Sequence, residues 1–141
     1  MTDQRGDVVV RVRSIEEDRA AVVAARARAA ADAAAAAAAK ATERASVHPL
    51  QGRTSALAPG ELLTAVGVAS ALREAALATQ RRLELAHQAF EEARAEVATA
   101  TSRRRAAERL VERRMAEIDA AEARRAQRQL DESGHRPRTG P

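Results

Sequence analysis

Arginines and carboxylates are the most common side chains in this sequence that could do chemistry, and three histidines accompany them. His48, His87 and His135 lie too far apart in the sequence for the ligand spacing of a metal site. The absence of cysteine excludes thiol chemistry and disulfides, and the sequence contains neither a glycine-rich phosphate loop nor a nucleophile elbow. These features argue against an enzyme, and no cofactor is expected.

The composition predicts long helices rather than a globular core. The chain has 141 residues, of which 45% are hydrophobic and 31% are charged, but it has one Phe and no Tyr or Trp. Alanine supplies most of the hydrophobic share, so few side chains are large enough to build an enclosed pocket. Richness in Ala, Glu, Arg and Leu is typical of coiled coils. The apolar runs near the N terminus and at 33–39 are too short for a signal peptide or a membrane span. The lack of cysteine fits a reducing compartment.

Two helices separated by a linker follow from the positions of Pro, Gly and helix-forming residues. The stretch 46–60 contains two Pro and two Gly and is predicted to be the linker. Two starts are open for the first helix, at Asp7 or at a capping box beginning with Ser14, and the earlier one is favoured. The expected order is a flexible N-terminus at 1–7, helix 1 at 8–45, the linker, a long helix 2 at 61–133 and a disordered tail at 134–141.

Heptad patterns in both helices predict an all-α fold, an antiparallel two-helix coiled-coil hairpin with a longer, overhanging C-terminal helix. The seam of helix 2 is predicted to pass through Ala76, Leu83, Phe90, Val97, Arg104, Val111, Ile118 and Arg125, with a companion row through Thr79, Ala86, Ala93, Ala100, Ala107, Arg114 and Ala121. The matching stripe of helix 1 is predicted to be Val8, Val12, Ile15, Arg19, Val22, Arg26, Ala29 and Ala33. Gly67 and the cluster from Thr99 to Ser102 are the places where helix 2 could break.

A hinge near residue 53 sets the expected register. Paired residues would then have numbers adding to about 106, so that Val8 lies opposite Ala98 and everything from Thr101 to Glu132 has no helix 1 partner. The overhang would expose Leu110, Val111, Met115, Ile118 and Leu130, which is a surface suited to a binding partner. The alternative interpretation of these residues is a dimer seam or an intramolecular core. Arg104 and Arg114 at seam positions predict an exposed seam or one that faces acidic residues, because an unpaired buried arginine is costly.

Two stretches of the sequence resemble the flagellar FliJ export protein family. The first is 8–20 (VVVRVRSIEEDRA), which is similar to the apolar and basic opening of that family and its following acidic turn. The second is 104–115 (RRAAERLVERRM), together with the closing 129–132 (QLDE). Length and helix order agree as well, so the resemblance spans nearly the whole chain.

The resemblance implies a non-enzymatic coiled-coil stalk and escort component of the flagellar type III export apparatus. Such a stalk would stand in the flagellar export ATPase hexamer and contact the cytoplasmic domain of the export gate and export chaperones. It would lie in the cytoplasm, held peripherally at the inner face of the cell membrane at the flagellar base. The surface facing the ATPase would consist of Val8, Val12, Ile15, Leu110, Val111, Arg113, Arg114, Met115, Ile118, Arg124 and Arg125.

A nucleic-acid or nucleoid-associated protein is the alternative function, suggested by a sequence pI of about 11.0 and an arginine-rich C-terminal region. Three observations argue against it. The net charge is only +4, acids are interleaved with the arginines, and one aromatic residue provides no stacking platform. We therefore expect no nucleic-acid partner.

Overall fold

The structure is a computed structural model that describes residues 4–47 and 58–134. Two α-helices fill this part of the chain, α1 at Gln4–Ser46 and α2 at Pro59–Gly134. They pack antiparallel and the second is longer, which confirms the all-α fold predicted from the heptads. The interior of the linker (48–57), the first three residues of the predicted flexible N-terminus and the predicted tail beyond Gly134 lie outside the described residues.

The start of α2 is stabilised by capping. Pro59 occupies the first helical position, where its fixed φ suits the helix and its missing N–H costs nothing. The backbone N–H of Ala58 donates to the Glu61 carboxylate over 3.1 Å. This is one of the two hydrogen bonds of a capping box, in which the third residue of the helix accepts from the N–H of the residue before the helix. The helix therefore begins at Pro59, two residues before Glu61.

The first helix begins before both sequence-derived starts. Asp7 lies in the first turn of α1, where its negative charge suits the positive end of the helix dipole. Ser14 lies well inside the helix, so its capping-box pattern does not mark an end. At the other end, the Ser46 hydroxyl and the backbone N–H of Val47 both donate to the Glu43 carbonyl, over 2.7 and 3.0 Å. These two bonds satisfy a carbonyl that the terminating helix leaves without a partner.

The second helix continues through both of its expected weak points. A Cβ added at Gly67 would meet no atom within 4 Å, so this glycine is not needed for close packing. The residues from Thr99 to Ser102 are helical, and the Thr101 side chain bonds to the opposite helix rather than to its own backbone. Neither site therefore interrupts α2.

The described residues fall into two compact units. The first unit consists of residues 4–17 and 99–134, and the second consists of 18–47 and 58–98. Within each unit, a segment of α1 packs against a segment of α2. The two units are described separately below.

Alanine methyl groups form the core of the second unit. Its most buried residues are Ala31, Ala38, Ala69 and Ala93, with 3%, 4%, 6% and 8% of their surface exposed. Leu83 and Phe90, which were predicted to face helix 1, are half-buried. The heptad predicted for helix 2 is confirmed here, because every predicted seam residue from Ala76 to Val97 is at least partly buried.

The stripe predicted for helix 1 is wrong. All eight of its residues are exposed, including Val22 at 51%. The residues of α1 that face α2 in the second unit are instead alanines at heptad spacing, namely Ala20, Ala24, Ala27, Ala31, Ala34, Ala38, Ala41 and Ala45. Large β-branched residues suggested the wrong face because alanine occurs on every side of this helix and carries little directional signal.

The predicted register is also wrong. With the hinge at 53, Glu17 would lie opposite about Ala89, whereas in the first unit its carboxylate bonds to Thr101 and Arg104. The difference is about 14 residues, or four helical turns. In the second unit Ala45 borders the same groove as Arg73 and Ala76, which gives an equivalent register. Because α2 begins at Pro59, it runs for more than three turns before it reaches the residues that face the end of α1.

A window of 18 residues in α2 is long and apolar enough for a membrane span by length and composition alone, with a mean hydropathy of 1.3. A single window of this kind is weak evidence for a span, since helices of soluble proteins meet the same criterion.

We expect the alanine seam to reject larger side chains. Replacing Ala31, which is 3% exposed, by Leu should push the helices apart and cost about 1–3 kcal/mol of unfolding free energy. The same change at exposed Ala29 is the matched control, because Ala and Leu have similar helix propensities. Urea unfolding followed by circular dichroism measures both. Equal stability of the two variants would contradict close packing at Ala31.

Candidate interaction surface

A polar cluster joins the two helices in the first unit. The Thr101 hydroxyl donates to one carboxylate oxygen of Glu17 over 2.8 Å, and the Arg104 Nε donates to the other. Arg104 also donates from Nη1 to Glu108, one turn further along α2. The Glu17 and Arg104 side chains are only 22% and 28% exposed. Arg104 therefore faces acidic residues, which confirms that expectation for its seam position.

The cluster shifts the protonation equilibria of both charged partners. The hydrogen bond from Thr101, followed by that from Arg104, holds the pKa of Glu17 below its ordinary value. In return, Glu17 and Glu108 raise the pKa of the Arg104 guanidinium. Both groups are therefore charged at neutral pH, and the seam contains a fixed ion pair where heptad packing normally places apolar groups.

An open groove lies beside this cluster. Its walls come from both helices of the first unit and are lined by Asp7, Val10, Arg11, Ser14, Glu108, Val111 and Glu112. Val111 is half-buried and therefore belongs to the contact between the helices, together with Val10. Of the two interpretations left open for Val111, the structure favours the intramolecular core, and its predicted place on an uncovered overhang is wrong.

The predicted residues of α1 lie on its uncovered side. Val8, Val12 and Ile15 expose 60%, 48% and 45% of their surface. Because each residue advances a helix by 100°, Val8 points about 200° away from Val10, which faces the groove. These three side chains therefore form an apolar stripe, which we call the α1 stripe, on the face opposite the seam.

The predicted residues of α2 are divided between the seam and the solvent. Leu110 and Ile118 are 54% and 41% exposed, whereas Met115 is half-buried. The predicted arginines, which are Arg113, Arg114, Arg124 and Arg125, are all exposed. Counting equal numbers of residues from the Glu17 contact places Gln4, the first described residue, opposite about residue 116, so the pairing of the described residues extends well beyond Thr101. Leu110 and Val111 thus lie within the paired region, and Ile118 lies just beyond it.

Sequence reasoning missed the residues of α1 that complete this region. Val10 and Glu17 face α2 but were not in the predicted stripe. A signal for them exists, since Glu17 and Val10 continue the seven-residue spacing of Ala24 and Ala31 toward the N terminus. Among the described residues, no group of three or more His, Cys, Asp or Glu side chains could hold a metal ion.

The fold and the exposed residues together indicate the class of protein. It is a two-helix antiparallel coiled coil with exposed apolar residues that suit binding to another protein. The family model for the flagellar FliJ protein matches residues 5–137, nearly the whole chain. This protein belongs to the FliJ family, and it is therefore a non-enzymatic component of the cytoplasmic flagellar type III export apparatus. No curated protein and no solved structure matches the chain.

We expect acid to weaken the first unit through Glu17. Because the pKa of Glu17 is lower in the folded chain than its ordinary value, its carboxylate stabilises the fold above that ordinary value. The contribution disappears as the pH falls through the lowered pKa. Circular dichroism melting at about pH 6 and about pH 3, below the usual Glu pKa, measures this loss. Between these two pH values, the Tm of the unsubstituted protein should fall further than the Tm of Glu17→Gln. An equal fall in Tm for both proteins would contradict the prediction.

Proposed function

We propose that this protein is the coiled-coil stalk and escort component that docks into the export ATPase ring. The observation that carries the proposal is that both helices of the first unit expose large apolar residues, on a chain that belongs to the FliJ family. The α1 stripe supplies one part of this surface, and Leu110 and Ile118 supply another. Exposed apolar groups of this size are costly in water and gain most when a partner covers them.

The exposed arginines of α2 complete the proposed docking surface. Arg113, Arg124 and Arg125 lie near Ile118 along the helix and project into solvent. A guanidinium at the rim of an apolar contact pairs with carboxylates of a partner and orients it more than it adds affinity. We therefore assign the apolar residues to affinity and the arginines to orientation on the ring.

The remaining partners and the location follow from the same proposal. In addition to the ATPase hexamer, the protein contacts the cytoplasmic domain of the export gate and hands over export chaperones. These contacts hold it peripherally at the inner face of the cell membrane at the flagellar base. The support is family membership, and no residues are assigned to the gate or to the chaperones.

Charge substitutions on the proposed surface should abolish docking without unfolding the chain. The two test variants are Val8→Asp with Ile15→Asp, and Leu110→Asp with Ile118→Asp. Burying an unpaired carboxylate in an apolar interface should weaken co-sedimentation with the cognate ATPase hexamer by at least about tenfold. Helicity by circular dichroism should stay near that of the parent, because all four residues are exposed.

The matched control is Leu77→Asp with Leu85→Asp in the second unit. These leucines are 59% and 64% exposed, so the control adds the same charge at equally exposed apolar sites. It should leave ATPase binding unchanged. The proposal is wrong if the control weakens binding as much as the test variants, or if neither test variant affects it.

A further inference from the structure

The seam of α1 in the second unit repeats itself every seven residues. Ala24, Ala31, Ala38 and Ala45 occupy equivalent positions, and Ala27, Ala34 and Ala41 form the adjacent row. If α1 slid along α2 by one heptad, the residues of α2 that face the middle of this repeat would still face an alanine. Apolar packing in this unit therefore distinguishes poorly between registers that differ by seven residues.

The repeat ends at Glu17. This residue stands seven positions before Ala24, at the same heptad position, and its carboxylate binds Thr101 and Arg104. A slide of one heptad in either direction would place Val10 or Ala24, instead of Glu17, opposite Arg104. The Arg104 guanidinium would then lose its acidic partner on the other helix, which is costly because the arginine side chain is only 28% exposed.

We propose that Glu17 and Arg104, supported by Thr101 and Glu108, select one register for the two helices. Both helices run without a break between the two units, so a choice made at this cluster fixes the pairing along the alanine seam. One heptad corresponds to about 10.5 Å along a helix. The cluster thus determines which residues of α2 lie beside the α1 stripe. The inference concerns register alone and stands whether or not the ATPase is the partner.

Cysteine pairs report the register directly, because the natural sequence contains no cysteine. Ala27→Cys with Ala93→Cys reports the register seen in the structure. Ala34→Cys and Ala20→Cys, each combined with Ala93→Cys, report the two registers displaced by one heptad. A disulfide requires Cα atoms within about 7 Å, so a displacement of about 10.5 Å separates the three pairs clearly.

The decisive background is the double variant Glu17→Ala with Arg104→Met. It removes both charges and leaves apolar side chains, so the helices should remain as stable as in the parent or become more stable. We expect oxidation of the parent to join mainly the Ala27→Cys and Ala93→Cys pair. In the double variant, the fraction joined through a displaced pair should rise by about tenfold or more, as expected for the loss of a charged hydrogen bond.

The matched control is Arg28→Ala with Asp32→Ala. These residues form an exposed ion pair of 4.0 Å within α1, so the control also removes one positive and one negative charge, but away from the seam. The control should keep the register of the parent. The proposal is overturned if the Glu17 and Arg104 variant remains helical and still forms only the Ala27 to Ala93 cross-link, or if the control releases the displaced pairs equally.

Discussion

Contact between alanine faces is the constraint on which the rest of the structure depends. Ala31 and Ala38 are almost completely covered, while the largest seam residues of α2, such as Phe90, are only half-buried. A face that offers single methyl groups allows two helices to approach closely but cannot enclose a large side chain. Each buried methyl-sized group contributes about 0.8 kcal/mol, so the two helices must be in contact over many turns to form a stable pair. The unusual length of both helices is a consequence of this weak contact per turn.

Most of the large apolar residues of α1 lie outside the seam. Val22 and Val23 would hold the helices apart if they stood in the alanine seam of the second unit, and in the first unit the α1 stripe lies on the face opposite Val10. Their exposure is therefore a result of how the pair packs, and it leaves an apolar surface that the chain cannot cover by itself within the described residues. A binding function on this face needs no pocket and no special chemistry.

The sequence predicted the fold class and the seam of α2, because Leu83, Phe90 and Val97 mark one face of that helix clearly. It did not predict the seam of α1, where alanine on all sides hides the inward face and the valines suggest another. The register could not be predicted from a hinge placed in the middle of the linker, since α2 begins with Pro59 and runs several turns before meeting α1. Of the polar cluster, only Arg104 was identified, because an arginine at an apolar heptad position is conspicuous.

The first turns of α1 therefore combine a packing face with an exposed apolar face. Within ten residues, Val10 and Glu17 face α2 while Val8, Val12 and Ile15 face away from it. A charged pair in a seam usually contributes less stability than apolar side chains of similar size, so its value lies in specificity. In an alanine repeat, the pair specifies which of several possible registers the two helices adopt. The register in turn determines which part of α2 lies alongside the α1 stripe. The position of the α1 stripe along α2 is thus set by the least apolar part of the seam.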